Sequence, residues 1–473
     1  MIFSSAVFLT LFLPLFLLFN FILNKKLKNY NILFFSLVFY AWGAPTFLFY
    51  LLASIFSNFY IVRAMDMQSI KSRKRWLLSA SVFINVGMLA YFKYANFFVE
   101  NLNQILNSAG FQPASWTAIV LPIGISFFTF QSLTYGVDIY RKVHKPLDKL
   151  SDYALYIMMF PQMIAGPIVR FNTIANEIIE REEKLDTIIT GFYRFVIGLS
   201  KKVLIANVMG EMADNIMGMD YLSIDSTTAW IGLLAYTFQI YFDFAGYSDM
   251  AIGIGKMIGF NFPENFNNPY ISKSISEFWR RWHMTLGAWM KDYLYIPLGG
   301  NRVGSPLRLY FNLWLVFLIS GFWHGASWNF VIWGAYHGFF LILDRLFLLK
   351  LLSKIGKIPA TIFTFIVAIL GWVIFRIESF DQAMIYYSRL FAFDFQAFDW
   401  AGNGKFLVFL IIAVLFSFST MTRLGLRIQD KIFYNDYSNR RFIVMAVICL
   451  ILFILSLSSV TSSGFNPFIY YRF

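Results

Sequence analysis

Charge is what this chain has least of: only 14% of its 473 residues are Asp, Glu, Lys or Arg, against roughly 25% in soluble domains. That shortage excludes an ordinary soluble fold. There is one cysteine, Cys449, set in an apolar segment, so neither a disulfide framework nor a cysteine metal cluster can be built. Histidine is almost as scarce, with four in the whole chain. No phosphate-binding glycine loop, zinc motif or Gly-x-Ser-x-Gly elbow occurs. No internal repeat or low-complexity stretch is evident either.

What fills the chain is apolar: 58% of residues are hydrophobic and 20% aromatic, with a mean hydropathy of +0.61. Apolar stretches recur along the whole length and leave no room for a separate soluble domain. The reading is an all-α polytopic membrane protein, one transmembrane domain over residues 1–473, with about eleven to thirteen membrane helices plus re-entrant and interfacial pieces. The formal charge of +13 needs no nucleic-acid partner, because Lys and Arg gather in short segments as the positive-inside rule predicts. Such segments at residues 25–28, 63–75, 141–149 and 201–202 read as cytoplasmic turns. The apolar run at residues 2–23 has no positive charge before it and three lysines just after it. It reads as a retained first helix that starts outside and ends in the cytoplasm, rather than a cleaved signal.

Between the first two basic segments, Gly43-Ala44-Pro45 splits an apolar stretch into a hairpin of two short helices. Further spans are expected near residues 77–98, 116–140, 188–208, 229–258, 309–343, 359–375, 406–418 and 442–457. Residues 153–170 read YALYIMMFPQMIAGPIVR, where Pro161, Gly166 and Pro167 interrupt an apolar run. Prolines remove backbone donors and free carbonyls that need partners at membrane depth, so a re-entrant segment lining a cavity is preferred over a kinked helix. Residues 274–294 carry Trp279, Trp282, Leu286, Trp289 and Tyr293 at three- and four-residue steps, which predicts an amphipathic helix at the cytoplasmic interface.

The first candidate for chemistry is His324, in GFWHGASW, near the middle of a run from 309 to 343 without any charged residue. An ionisable ring in hydrocarbon is costly and is rare unless it faces a cavity, a partner or a substrate path. A histidine merely hydrogen-bonded across helices is the alternative. Gly321 and Gly325 allow close approach to the ring, and Ser320 and Ser327 offer oxygens that could fix its tautomer. His283, in the amphipathic stretch, is the second candidate, since two imidazoles from separate elements could share one site. His337, thirteen residues beyond His324 on the same span, reads as structural or interfacial, and His144 as solvated. Asp243 and Asp249 interrupt the span at 229–258; they could orient a histidine or form structural ion pairs. Ala251, Gly255 and Gly259 form a small-residue ridge for helix packing. Seven of the thirteen tryptophans fall between residues 279 and 333, a clustering that suits the walls of a pocket better than a headgroup belt. Lys273, Arg280, Arg281, Lys291 and Arg302 could attract an anionic donor such as coenzyme A, or simply mark the cytoplasmic side.

The block FWRRWHMTLGAWMKDYLYIPLGGNR at 278–302, followed by GFWHGASWNFVIWG at 321–334, closely resembles the membrane-bound O-acyltransferase family, and within it the bacterial alginate O-acetyltransferase branch. FDFAGYSDMAIGIGKMIGFNFPENFNNPY at 242–270, FPQMIAGPIVR at 160–170 and the tail FNPFIYYRF at 465–473 agree. The resemblance implies a ring of helices around a thin centre, a cytoplasmic donor funnel and an opening toward the outside. It implies that His324 is the signature histidine and His283 the second one, with His324 as general base or transient acyl carrier and His283 steadying the thioester carbonyl. Asp292, Asp249, Asp243, Asn329 and Arg281 are supporting candidates. No cofactor or metal is held permanently; acetyl-CoA or a carrier-protein thioester serves as acyl donor. The implied partners are an acetyltransferase protein outside the membrane, a polysaccharide acceptor and membrane lipid, and the implied place is the inner membrane. Rival readings are peptidoglycan O-acetylation, teichoic-acid D-alanylation and, from another class, a transporter or scaffold.

Overall fold

The computed structural model describes residues 1–434, 437–462, 464 and 469, and these form helices with no strand. The chain divides into two compact units, residues 1–188 with 254–263, and residues 189–253 with 264–473. Six helices among the described residues are long and apolar enough to cross a membrane, and shorter or broken helices accompany them. The tail at 465–473, save Ile469, lies outside the described residues.

In the first unit, α1 (Phe8–Ile22), α2 (Lys25–Gly43), α3 (Pro45–Met67), α4 (Lys71–Ser108) and α5 (Ile125–Tyr140) precede three short helices, α6 (Leu150–Met158), α7 (Phe160–Met163) and α8 (Phe171–Ile179). The Gly-Ala-Pro break divides α2 from α3 as expected, but both helices are longer than the apolar stretch because flanking basic residues join them. The expected span at 116–140 is helical only from Ile125; the residues before it are irregular.

The proline-rich stretch is broken, not kinked. Helix α6 stops at Met158, α7 lasts one turn, and residues 164–170 run on without helix, almost all of them buried. Freed backbone groups find side chains: Gln162 Nε2 donates to the Tyr156 carbonyl at 2.6 Å. The Tyr156 hydroxyl donates to Val169 O at 3.2 Å, and Phe160 N–H donates to Ser36 Oγ at 3.1 Å. This is how irregular backbone is tolerated away from water.

The second unit contains most of α9 (Leu185–Ser200), then α10 (Asn207–Met217), most of the 32-residue α11 (Ser226–Met257), two short helices, α12 (Ile275–Arg281) and α13 (Met284–Met290), and a hairpin, α14 (Pro306–His324) and α15 (Trp328–Leu343). After these come α16 (Lys357–Arg376), α17 (Phe380–Leu390), α18 (Gly404–Phe418) and α19 (Asn439–Ser462).

Four expectations change here. Lys201 and Lys202 are not a loop; they open a π-helical turn, Lys201–Ala206, that joins α9 to α10. The expected amphipathic helix at 274–294 is two helices separated at Trp282-His283, and Trp282, Leu286 and Trp289 are buried in protein rather than laid on a surface. The run at 309–343 is also two helices, parted at Gly325-Ala326-Ser327. Finally, the small-residue ridge sits elsewhere. Gly246 and Gly253 of α11 meet Gly198 and Gly191 of α9, where added Cβ atoms would lie 2.6–2.7 Å from backbone oxygens. Gly255 packs on Phe262, and Gly259 is a turn at φ +81°, past the end of α11.

The α14–α15 hairpin is drawn together by its own glycines. A Cβ on Gly334 would overlap the Phe317 carbonyl, one on Gly321 would overlap the Phe330 carbonyl, and Gly338 faces Trp314 at 2.9 Å. These pairings run in opposite directions along the two helices, so α15 folds back along α14. His337 therefore does not continue the helix of His324 but lies on the returning one. Gly334→Ala is expected to destabilise the protein by about 1–3 kcal/mol, because carbonyls of a packed helix cannot move aside. Thermal unfolding of the purified protein in detergent checks this; an unchanged midpoint would contradict it.

Candidate functional site

His324 is the last residue of α14, where Gly325 turns the chain into an extended conformation. Its ring is buried against Trp323 (4.9 Å between centroids), Trp333 (5.2 Å) and Phe375 (5.5 Å), mostly edge to face. The turn that follows is anchored by Asn329, whose Nδ2 donates to the carbonyl of Ile377 just after α16. This hydrogen bond ties the first turn of α15 to the end of α16.

His283 stands at the break between α12 and α13, with φ +44° and ψ +53°. Left-handed backbone is uncommon for a residue with a Cβ, and such strain persists only where the surroundings enforce it. Here the asparagine-rich segment 265–268 enforces it. Asn267 N–H donates to the Arg281 carbonyl at 2.9 Å, and Met284 N–H donates to the Asn265 carbonyl at 2.9 Å. Arg281 braces the same segment, donating to Asn267 O at 3.0 Å while its Nε is held by Glu277 at 3.0 Å.

The His283 ring is buried edge to face on Phe244 at 4.7 Å and lies 6.4 Å from Trp323. Trp323 thereby lies beside both imidazoles. Nδ1 of His283 is 3.0 Å from Asn265 Oδ1, while Nε2 makes no hydrogen bond among the described residues. Two histidines from separate elements thus converge on one buried place.

Of the seven clustered tryptophans, Trp279, Trp282, Trp323 and Trp333 gather near the histidines, joined by Trp372, while Trp314 and Trp328 are exposed. Trp279 contacts Trp333 at 5.5 Å, Trp282 contacts Trp372 at 4.8 Å, and Trp333 reaches Trp372 at 6.0 Å. His337 is buried within this cluster beside Trp279 and Trp333, with Gly371 leaving room for its Nε2. His144 is half-buried against Phe171 in the first unit.

The other candidates fall elsewhere. Asp243 pairs with Lys202 at 2.8 Å and accepts Ile469 N–H at 2.9 Å. Asp249 is held by Arg194 and Lys201, each at 2.6 Å, and Arg194 also reaches Glu264 at 2.6 Å. Both aspartates are taken up by structural ion pairs. Asp292 is half-buried in the π-helical turn Lys291–Tyr295 that follows α13. Among the described residues, no group of three or more His, Cys, Asp or Glu side chains is placed to hold a metal ion. Sequence reasoning missed Asn265, which meets His283 Nδ1, and Thr285 and Ser248, which hold Asn265; the signal was a run of asparagines in an otherwise apolar chain.

An integral membrane protein of helices, with two imidazoles buried among aromatic side chains, holds two ionisable rings away from water. Comparison with known proteins gives this arrangement its family. The membrane-bound O-acyltransferase family pattern matches residues 147–377. The chain is 39% identical to the probable alginate O-acetylase AlgI of Azotobacter vinelandii over the full length of both. It is 44% identical to the same-named protein of Pseudomonas aeruginosa, over 83% of this chain and 75% of that one. It is also 38% identical to the peptidoglycan O-acetyltransferase of Helicobacter pylori, over 81% of this chain and 78% of that one. This chain belongs to the membrane-bound O-acyltransferase family; it is a multi-pass membrane acyltransferase, fitting the inner membrane of its bacterial relatives.

Proposed function

We propose that the protein moves acetyl groups from a cytoplasmic thioester to an exported polysaccharide resembling alginate, and that His324 and His283 carry the transfer. The observation that carries this reading is the convergence of the two buried histidines on Trp323. The polymer class is supported by relatives named as alginate O-acetylases at 39–44% identity. We further propose that the two units work as one acyltransferase domain, with acetyl-CoA as donor and a serine of a partner protein outside the membrane, or the sugar itself, as acceptor.

Ester formation from a thioester needs one group to take the proton of the attacking hydroxyl and return it to the departing thiol. A second must steady the carbonyl as charge develops on it. The two imidazoles fill these parts. A second reading, acetylation of peptidoglycan, is favoured by the Helicobacter relative and differs only in the acceptor.

The test deletes the gene and measures base-labile acetate on each exported polymer, then restores the gene. Acetate lost from an alginate-like polymer and regained on complementation supports the reading; loss from peptidoglycan alone moves it to the second. Purified protein given labelled acetyl-CoA is expected to release free thiol. No thiol release beside normal acetylation in cells would assign the donor to a carrier protein.

A further inference from the structure

The network behind His283 settles which of its nitrogens carries the proton. Asn265 is fully buried, and its Oδ1 accepts from the Thr285 hydroxyl at 2.8 Å and faces the Thr285 backbone N–H at 3.4 Å. A backbone N–H can only donate, so this atom is the amide oxygen and not the nitrogen. The amide nitrogen points the other way and donates to Ser248 Oγ at 3.0 Å. His283 Nδ1, 3.0 Å from the same oxygen, must therefore be the protonated nitrogen. In the neutral ring that leaves Nε2 with its lone pair, and Nε2 makes no hydrogen bond among the described residues.

We propose that Asn265 is a positioning residue of the acyl-transfer site: held by Thr285 and Ser248, it fixes His283 in the Nδ1–H form and so makes His283 Nε2 the proton acceptor of the reaction. This rests on the functional reading above and deepens it. It also reverses the division of labour expected from the sequence, because a bare Nε2 cannot donate to a thioester carbonyl. In the step, Nε2 takes the proton of the attacking hydroxyl as its oxygen bonds to the acetyl carbon. The carbon–sulfur bond then breaks, and the leaving thiolate takes that proton back from Nε2, giving ester and free thiol. Asn265 stays bonded to Nδ1–H throughout and stabilises the imidazolium formed in between. The left-handed backbone at His283 serves the same end, since it turns the ring to face Asn265.

The test uses the full-length protein labelled with 15N-histidine; four histidines give few signals, and the His283 pair is assigned by its loss in His283→Gln. Wild type is expected to show Nδ1 protonated and Nε2 bare. Asn265→Ala is expected to lose that preference and to lower polymer acetylation in cells by about 10²-fold, the usual span of a lost proton-transfer group. Asn265→Asp retains an acceptor for Nδ1–H, so it is expected to keep the tautomer and recover most of the acetylation; a merely structural role would not be rescued by a buried carboxylate. Protonation on Nε2 in wild type overturns the proposal. So does an Asn265→Ala protein that keeps full acetylation, or one that loses acetylation with its tautomer intact. If Asn265→Ala does not accumulate, Asn265→Asp decides alone. Normal acetylation by His283→Gln would sink the functional reading itself, and the tautomer measurement would be unaffected by that result.

Discussion

Replacing His324 by alanine is expected to reduce acetyl ester on the exported polymer by about 10²–10³-fold, the cost of losing a donor to the charge developing on the carbonyl, while the protein still inserts in the membrane. The ring sits in a cage of Trp323, Trp333 and Phe375, so truncation also removes packing. Loss of stability must therefore be separated from loss of chemistry. His324→Gln fills most of the cage and keeps a polar end, yet its amide does not place a donor where the ring nitrogen stands. The two variants should lose acetylation alike although alanine unfolds at lower temperature. The double variant His283→Ala with His324→Ala should be little worse than either alone, because groups that act as one unit do not contribute additively. Wild-type levels of base-labile acetate in His324→Gln, at equal protein amount, would remove His324 from the reaction.

Much of this was legible in the sequence for simple reasons. Charge is so rare here that each interruption of an apolar run stands out, which is how His324, Asp243 and Asp249 declare themselves. Gly43-Ala44-Pro45 and Pro161 act on the backbone locally, so the breaks beside them could be read without knowing any neighbour. The break at His283 could not. Trp279, Trp282, Leu286 and Trp289 keep helical spacing straight through it, and the left-handed residue is imposed by Asn265 and Asn267 from a distant stretch of chain. The turn at Gly325-Ala326-Ser327 was hidden differently. Its glycine was read as room for the ring, while Gly334 and Gly338, which close the hairpin, drew no notice without their partners Phe317 and Trp314. Lys202 misled most, because a basic pair reads as a loop unless its buried carboxylate is known.

That pair sets the second large expectation. Lys202 and Asp243 are both almost completely buried, 2.8 Å apart, and Lys202 Nζ also donates to Asn207 Oδ1 at 2.9 Å. Removing one partner leaves an uncompensated charge out of water, at a cost of about 3–5 kcal/mol. Asp243→Ala should therefore lower the unfolding temperature of the detergent-purified protein more than any other single change named here, and Lys202→Met should do nearly as much. The paired replacement, Lys202→Met with Asp243→Leu, should lie much closer to wild type, since apolar side chains of similar volume need no compensating charge. Asp243 Oδ2 also accepts the Ile469 N–H. Both Asp243 variants should consequently make the C-terminal end easier to cleave with protease, while Lys202→Met spares that hydrogen bond. These losses differ in kind from those at His324: acetylation in the Asp243 variants should fall in proportion to the amount of folded protein, with activity per folded molecule unchanged. Reduced activity in a fully folded Lys202→Met, Asp243→Leu protein would instead give the ion pair a part in the chemistry.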